Sequence, residues 1–338
     1  MRLSRSSVAA AALTVAAALT VTAAPAPADP EGASAIFPTT TEDVVAPGPP
    51  LSLREAVTRA DTQPGPDVIQ LDPGATYTLE LCGGGSPDDT NAAGDLDITA
   101  ADDLFIDGLG ATILQTCGER VLHASSSAAV VTVDGTTITG GDLTGRSGVE
   151  GLGGGIRTSG RLVVHNSSIV DNIGVQGGGI FATDLIEISD SLIADNSATQ
   201  WYGGIYGNDS ANGISLLRSA VVRNSAPIGS ALYSAWDLQA TNSTITANSG
   251  ADTAVVAEDG FDVEQSLVAL NDVALEDIRV VNAVASKATR SVLGTCNLGA
   301  GSVNSPGDNI QTDASCGLVY DTDRTIGAGS LLLDDLAP

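Results

Sequence analysis

The hexapeptide SSIVDN, at residues 167–172, is followed along the chain by four similar segments. Each begins with a serine, has isoleucine or valine two positions later, and ends with an asparagine. The intervals between the serines are 24, 28, 24 and 23 residues. A repeat of this length is typical of a solenoid, in which each unit stacks on the one before it. The four later copies are SLIADN (191–196), SAVVRN (219–224), STITAN (243–248) and SLVALN (266–271).

An apolar pair precedes each serine by five and three residues. Apolar side chains at alternate positions lie on one side of an extended chain, so these pairs indicate short β-strands. The Asn or Asp directly before the serine indicates a turn. The asparagine that ends each hexapeptide tolerates left-handed backbone and is able to bond to the same asparagine one turn away. The pairs are Leu162/Val164, Ile186/Ile188, Ile214/Leu216, Leu238/Ala240 and Phe261/Val263, with an earlier copy at Val131/Val133.

Glycine-rich markers lie between the hexapeptides, as GGGI (153–156 and 177–180), GGIY (203–206) and, less regularly, SALY (230–233). Glycine at a recurring position indicates a corner that needs positive φ or close backbone packing. Each unit therefore contains two or three short strands joined by corners, with parallel strands about 4.8 Å apart between units. The sequence predicts an all-β fold, a right-handed parallel β-helix.

The two ends of such a solenoid need covers, because exposed strand edges promote aggregation. Residues 51–61 (LSLREAVTRAD) predict a short capping helix, with Ser52 and Glu55 as a capping box and Leu53, Val57 and Ala60 on one face. We expect residues 29–50 to be a flexible leader and 62–285 to form the β-helix. Residues 286–338 are expected to be a C-terminal cap that holds a disulfide.

Residues 1–28 have the features of a secretory signal peptide: Arg2 and Arg5, an apolar run, and the A-x-A site Ala26-Pro27-Ala28. Cleavage there would remove two arginines and no acid, which makes the net charge of −27 two units more negative. A strongly acidic surface disfavours nucleic acid and anionic membranes as partners. The expectation is a secreted, extracellular monomer.

The chain has four cysteines: Cys82, Cys117, Cys296 and Cys316. An even number in an exported protein indicates two disulfides, and three pairings are possible. We favour Cys82–Cys117 and Cys296–Cys316, because a solenoid brings only neighbouring turns together. A metal site would need C-x-x-C spacing or nearby histidines, which this sequence lacks.

Several segments resemble the bacterial CSLREA-domain proteins, which are right-handed parallel β-helix, pectin-lyase-like proteins with repeats similar to those of polymorphic outer-membrane proteins. The resemblance rests on LSLREAV (51–57), DVIQLDPGATYTL (67–79), GDLDIT (94–99), the repeats, and GDNIQTDASCGL (307–318). It implies the fold and is nearly silent on activity. Leu51 stands where the family motif has its cysteine, so the bridge usual in the family is not expected. The chain ends without a sorting signal or membrane barrel, so surface attachment is not expected either.

Aromatic residues are scarce in this chain, yet five of them cluster between residues 201 and 236. Aromatic faces on a long, shallow surface hold sugar rings through apolar contact. Packing at a corner is the competing interpretation. We therefore expect a non-catalytic β-helix that binds an extracellular or cell-surface polysaccharide, with no required cofactor. The five ligand-binding candidates are Trp201, Tyr202, Tyr206, Tyr233 and Trp236.

The alternative is a calcium-dependent polysaccharide lyase. Asp171, Asp195 and Arg223 occupy the same corner in three successive repeats, so two carboxylates could hold Ca²⁺ beside a base. A surface ion-pair ladder is the simpler interpretation of the same column. A further column of Asp134, His165 and Ser189 combines the residue types of a nucleophilic triad, although nothing marks an oxyanion hole. A polygalacturonase is excluded, because neither His123 nor His165 lies in a glycine-flanked motif.

Overall fold

The computed structural model describes residues 27, 29–46, 48–84, 89–208, 213–281, 286–299, 302–318 and 320–326. Three long sheets, in which all strands are parallel, run along the molecule and form a right-handed parallel β-helix, as predicted. Nearly all of the expected signal peptide, residues 1–26 and 28, lies outside the described residues, as does the end of the expected C-terminal cap, residues 327–338.

Each coil passes through three sheets, which we call C, A and B in chain order. Sheet C has nine strands: Leu96–Ile98, Leu122–Ala124, Ile156–Thr158, Ile180–Ala182, Ile205–Gly207, Leu232–Ser234, Val255–Ala257, Ile278–Val280 and Cys296–Asn297. Sheet A has ten: Ser34–Ile36, Asp67–Gln70, Leu104–Asp107, Val130–Asp134, Arg161–His165, Ile186–Ser189, Ile214–Leu217, Leu238–Thr241, Phe261–Glu264 and Lys287–Thr289.

Sheet B has eleven strands: Thr76–Leu79, Thr112–Gln115, Thr137–Thr139, Ser168–Val170, Leu192–Ala194, Ala220–Val222, Thr244–Thr246, Leu267–Val268, Val292–Leu293, Ile310–Gln311 and Arg324–Thr325. Two short pairs lie between sheets B and C, namely Ile173–Gln176 with Ser197–Trp201 and Ser249–Gly250 with Asp272–Val273. Single 3₁₀ turns occupy Gly148–Gly151 and Ala314–Cys316.

The core is a stack of aliphatic side chains that point inward from all three sheets. In sheet A, Leu162, Ile186 and Ile214 are directly opposed in register and at most 2% exposed. Side chains from all three sheets meet in the narrow interior of the solenoid. Large aromatic rings fit poorly there, so aromatic residues are rare in the core. Each buried aliphatic side chain contributes about 1.5–3 kcal/mol, so the stacking of coils is mainly hydrophobic.

Two hydrogen-bonded ladders run along the corners on either side of sheet B. In the asparagine ladder, formed by Asn172, Asn196, Asn224, Asn248 and Asn271, each Nδ2 donates to the Oδ1 of the next asparagine at 2.9–3.1 Å, and the last donates to Asp277. Each backbone N–H donates to the same oxygen. The asparagine-to-asparagine bond expected from the sequence is thereby confirmed.

The left-handed residue at this corner is not the asparagine, which tolerates that conformation, but the residue before it. Asp171, Asp195 and Arg223 have φ of 55°, 58° and 56°. The asparagine must turn its amide inward to reach carbonyl groups and the next rung, so the preceding residue makes the bend. Its own side chain then projects to solvent. At the other corner Asn166 and Asp190 have left-handed backbone. They are the residues before the serine, where the sequence indicated a turn.

A matching serine ladder follows that second corner. The hydroxyl of each serine accepts from the backbone N–H of the serine one coil earlier at 3.0–3.2 Å and donates to the carbonyl two residues before it. The serines of the repeat thus satisfy backbone groups that the change of direction leaves without strand partners. The ladder consists of Ser167, Ser191, Ser219, Ser243, Ser266 and Ser291.

The N-terminal helix spans Leu53–Thr62, and its capping box of Ser52 and Glu55 is confirmed. The helix also buries Arg54, which no apolar pattern indicated. Arg54 forms a bidentate ion pair with Asp43 at 2.8 and 3.0 Å and donates to the Asp95 carbonyl at 2.9 Å. The cap therefore covers carbonyls at the open end of sheet C with a guanidinium.

The expectation of a flexible leader over residues 29–50 is wrong for its described part. Ser34–Ile36 is the first strand of sheet A, and Asp43 is held by Arg54. Val44 accepts a hydrogen bond from the Ser52 hydroxyl at 2.6 Å. The Pro- and Thr-rich composition indicated a loop, but tertiary contacts with the cap fix it.

The solenoid also extends past residue 285, where the sequence repeat stops. Lys287–Thr289 continues sheet A, and Ile310–Gln311 and Arg324–Thr325 continue sheet B. Asn309 takes the place of a serine in the ladder, since its Oδ1 accepts from the Ser291 N–H at 2.8 Å. Both favoured disulfides, Cys82–Cys117 and Cys296–Cys316, are present.

Replacing Asn224 with alanine is expected to lower the free energy of unfolding by about 3 kcal/mol or more, because it leaves buried donors of Asn196 without partners. The neighbouring Arg223→Ala is the matched control. Its ion pair with Asp195 is exposed, so its loss should cost less than about 1 kcal/mol. Urea unfolding of both variants measures the difference, and equal losses would contradict a central role for the ladder.

Candidate functional site

Sheet C presents one outward side chain in every coil. In each three-residue strand the first and third side chains are buried in the core, and the middle one points away from it. We call this column the sheet C outer ladder; its chemistry changes from ionisable to aromatic along the solenoid. Its members in order are Asp97, His123, Arg157, Phe181, Tyr206, Tyr233, Val256, Arg279 and Asn297.

Four aromatic rings meet in the middle of this ladder. Tyr202 stacks on Tyr233 with ring centroids 4.6 Å apart and an interplanar angle of 29°. Tyr206 lies 4.6 Å from Tyr202 and meets Tyr233 edge-on at 5.4 Å. Phe181 closes the group edge-on against Tyr206 at 5.1 Å. Three of the five sequence-predicted aromatics thus form one cluster, which we call the tyrosine cluster (Tyr202, Tyr206 and Tyr233).

Tyr202 reaches this cluster from a corner that otherwise uses glycine. The residues stacked at the same position are Gly153, Gly177 and Gly229, with φ of 64–65°, whereas Tyr202 itself has φ of 59°. A Cβ on Gly229 would lie 2.2 Å from the Tyr202 ring. The glycine of the neighbouring coil therefore leaves space for the Tyr202 ring, although the left-handed backbone conformation is unfavourable for Tyr202 itself. Strain of this kind, of order 1 kcal/mol or more, is concentrated at functional sites.

The phenol groups of the cluster are kept in the neutral form. Burial raises the pKa of Tyr202, Tyr206 and Tyr233 above the ordinary value, and for Tyr233 the nearby Glu258 carboxylate raises it further. The Tyr233 hydroxyl donates to Glu258 Oε1 at 3.2 Å. Within the described part of the chain, the hydroxyls of Tyr202 and Tyr206 have no hydrogen-bond partner and are open to solvent. They are donors and acceptors available to a ligand.

The two tryptophans flank sheet C rather than join the cluster. Trp201 ends the strand before the corner, and Trp236 follows the strand Leu232–Ser234 on the other side. They are 39% and 42% exposed, and among the described residues neither has a ring contact with the tyrosines. Trp201 is paired in register with Ile228, which is also exposed, so an apolar edge borders the tyrosine cluster on that side.

Asp171, Asp195 and Arg223 do stack at one corner, in successive coils. Arg223 forms a bidentate ion pair with Asp195 at 2.6 and 2.8 Å, and this hydrogen bonding raises the pKa of Arg223. A guanidinium held in this way loses its proton less readily, so the neutral form that could act as a base is less available, and one of the two carboxylates is already occupied. The geometry favours a surface ion-pair ladder over a lyase centre.

The column of Asp134, His165 and Ser189 is also in register on sheet A. His165 Nδ1 lies 2.9 Å from Ser189 Oγ and 3.9 Å from Asp190 Oδ2. In a nucleophilic triad the serine and the carboxylate bond to opposite ring nitrogens. Here one nitrogen faces both the serine and the nearer carboxylate, and no hydrogen bond joins Asp134 to His165 among the described residues. This arrangement is a polar ladder.

A second group, which the sequence analysis missed, lies at the N-terminal end of the sheet C outer ladder. His123 Nδ1 is 3.2 Å from Asp97 Oδ1 and 3.4 Å from Asp89 Oδ1. Burial raises the pKa of Asp97 to about 6, with nearby acids adding to the shift and His123 opposing it. Arg157 is the next member of the ladder, and burial lowers its pKa. A three-residue pattern of an apolar, a variable and a small residue recurs in the six sheet C strands from Leu122–Ala124 to Val255–Ala257 and would have aligned those six.

Neither a family model nor a curated protein matches this chain. In the parts of the chain that the structure describes, no helix has the length and apolar character needed to cross a membrane. The candidate function therefore rests on the chemistry of the sheet C outer ladder.

Replacing Tyr202 with glycine should give a more stable protein than replacing it with alanine. Both variants remove the ring, but only glycine relieves the left-handed backbone, a difference of about 1 kcal/mol in the free energy of unfolding. Urea unfolding of the two variants under identical conditions measures it. An alanine variant as stable as the glycine variant would show that Tyr202 is not under backbone strain.

Proposed function

We propose that this protein is a secreted, non-catalytic β-helix that binds a polysaccharide across the outer surface of sheet C. The observation that carries the proposal is Tyr202, an aromatic residue at a left-handed corner where the neighbouring coils have glycine. Packing alone does not require an aromatic residue here, since the coils on either side have glycine at the same corner. The ring is retained at an energetic cost, and it completes a cluster of three tyrosines.

The tyrosine cluster has the properties that sugar recognition needs. Aromatic faces pack against the C–H surfaces of a pyranose ring, and phenol hydroxyls bond to its hydroxyl groups. Trp201 and Trp236, exposed on either side of sheet C, supply further apolar surface for a chain longer than one sugar. A ligand that follows a solenoid's repeating surface is itself a repeating polymer.

Electrostatics favour an uncharged polysaccharide. The protein carries a net charge of −27, and Glu258 and Asp252 lie close enough to the cluster to raise the pKa of Tyr202. A polyanion would be repelled from this surface unless a cation bridged it. The proposal is therefore a neutral glycan as ligand and no required cofactor.

The carboxylates near the cluster are engaged in other contacts, which supports binding rather than hydrolysis. Glu258 accepts from Tyr233, and Asp252 accepts from Arg279 at 3.0 Å. Glycoside hydrolysis needs two carboxyl groups on either side of the scissile bond. Secretion is supported by the two disulfides, which persist in oxidising compartments.

A glycan array on the mature, oxidised protein, with and without calcium, identifies the ligand. Tyr202→Gly and Tyr206→Ala should each weaken binding of the best neutral glycan at least tenfold, as loss of about 1.4 kcal/mol of aromatic contact implies. Tyr320→Ala is the matched control, because Tyr320 is an exposed tyrosine near the C-terminal end of the solenoid and should leave affinity unchanged.

Product analysis on every glycan that binds completes the test. Binding without turnover, lost in the two cluster variants only, is the expected outcome. Release of unsaturated oligosaccharides in calcium would overturn the non-catalytic proposal, and Arg223→Ala would then locate that activity.

A further inference from the structure

Two carboxylate oxygens converge on one ring nitrogen at the N-terminal end of the sheet C outer ladder. Asp97 Oδ1 and Asp89 Oδ1 lie 3.2 and 3.4 Å from His123 Nδ1, and one ligand atom of each residue lies within 4.8 Å of the other two. Charge-assisted hydrogen bonds from a protonated imidazole are shorter, about 2.7–2.9 Å. A single N–H also cannot point at two acceptors equally well.

These distances match the edges of a metal-coordination tetrahedron. Zinc binds His nitrogen and Asp oxygen at about 2.0–2.1 Å, so neighbouring ligands of a tetrahedral ion lie about 3.3–3.4 Å apart. Calcium instead takes six to eight oxygens at 2.3–2.6 Å and does not select imidazole. The donor set of one nitrogen and two carboxylates therefore fits a divalent transition metal with a fourth position left open.

A buried atom without a partner is an independent sign that this group has a ligand. Asp97 is 1% exposed, yet its Oδ2 has no hydrogen-bond partner among the described residues. A buried carboxylate oxygen without a donor is costly. A cation bound by Asp97 would compensate that cost.

The backbone around the group is fixed before any ion binds. Asn91, with φ of 53° and 3% exposed, donates from Nδ2 to the Asp97 carbonyl at 2.6 Å and accepts from the Asp97 N–H at 2.7 Å. The side chain of Asn91 thus acts as an extra strand at the edge of sheet C. Because Asp89 is only two residues before Asn91, the same anchor keeps the backbone of Asp89 near His123, while the Asp89 side chain is 62% exposed.

We propose that Asp89, Asp97 and His123 bind one divalent transition-metal ion of the zinc class, with its open coordination position on the outer surface of sheet C. The site lies in the same ladder as the tyrosine cluster, separated from it by Arg157 and Phe181. Within the described chain Arg157 forms no hydrogen bond or close ion pair, so it is a cation available to an anionic ligand of the metal. The site does not depend on glycan binding.

The test titrates metal-free full-length mature protein with zinc sulfate, manganese chloride and calcium chloride by isothermal calorimetry. We expect one zinc ion per chain, and a zinc affinity at least tenfold above the calcium affinity. Asp97→Asn and His123→Gln should each weaken zinc binding at least tenfold. Zinc should raise the Tm of the wild type by several degrees and leave the Tm of both variants unchanged.

His165→Gln is the matched control, because His165 is the other histidine and lies in the ladder of sheet A. Its zinc binding should equal that of the wild type. The Asp97→Asn variant retains the Asn91 clamp, which contacts only the backbone of residue 97, so it should fold; metal-free Tm values confirm that. Zinc binding that survives His123→Gln, or that disappears with His165→Gln, would overturn the assignment, as would a wild type that takes up no zinc.

Discussion

The amide-to-amide hydrogen bond of the asparagine ladder is the interaction on which the other features of this structure depend. Strand pairing fixes the distance between coils along sheets A, B and C, but at a corner the backbone turns away from its partners. The asparagine side chain restores the bonds there: its Oδ1 accepts from two donors of the coil before, and its Nδ2 donates to the next rung and to a carbonyl. Because the amide is buried, water cannot replace it. Without the asparagine, the donors that it accepts from would have no hydrogen-bond partner.

This ladder also determines which positions are free to vary. Since the asparagine turns inward, the residue before it makes the bend, and that residue is aspartate, arginine, alanine or leucine in different coils. The glycine corner behaves differently, because a Cβ on Gly153 or Gly177, which occupy the position of Tyr202 in other coils, would lie within 2.5 Å of a carbonyl oxygen. A departure from glycine at such a corner is therefore informative, whereas a charged residue before the asparagine is not. That contrast is why Tyr202 carries a functional argument and Arg223 does not.

The fold could be predicted from the sequence because the residues that recur in each coil are those that the backbone needs at its corners and in its core. Serine, asparagine and alternating apolar residues recur wherever a ladder or a core position needs them, and their period predicted the coils. The helix cap was predicted from its capping box, and the disulfides from the rule that only neighbouring turns of a solenoid come together. Where a ladder changes its accepting residue, the period is lost from the sequence but not from the structure: Asp277 and Asn309 continue the two ladders, and the solenoid extends past residue 285. Likewise, Asp43 and Arg54 are distant from any repeat, so their buried ion pair gave no sequence signal.

The candidate site was harder to predict for a related reason. Its residues occupy the outward position of sheet C strands, which the repeat leaves unspecified, and the first coils lack the hexapeptide that would align them. Sequence reasoning therefore found the tyrosines by their clustering along the chain and missed Asp97 and His123, which are far apart in sequence and are brought together only by register. Each coil of a solenoid contacts only its neighbours, so an outward side chain can change without altering the coils beyond. The core requires only the residues on either side of each ladder position. The sheet C outer ladder can therefore combine ionisable and aromatic side chains in adjacent coils.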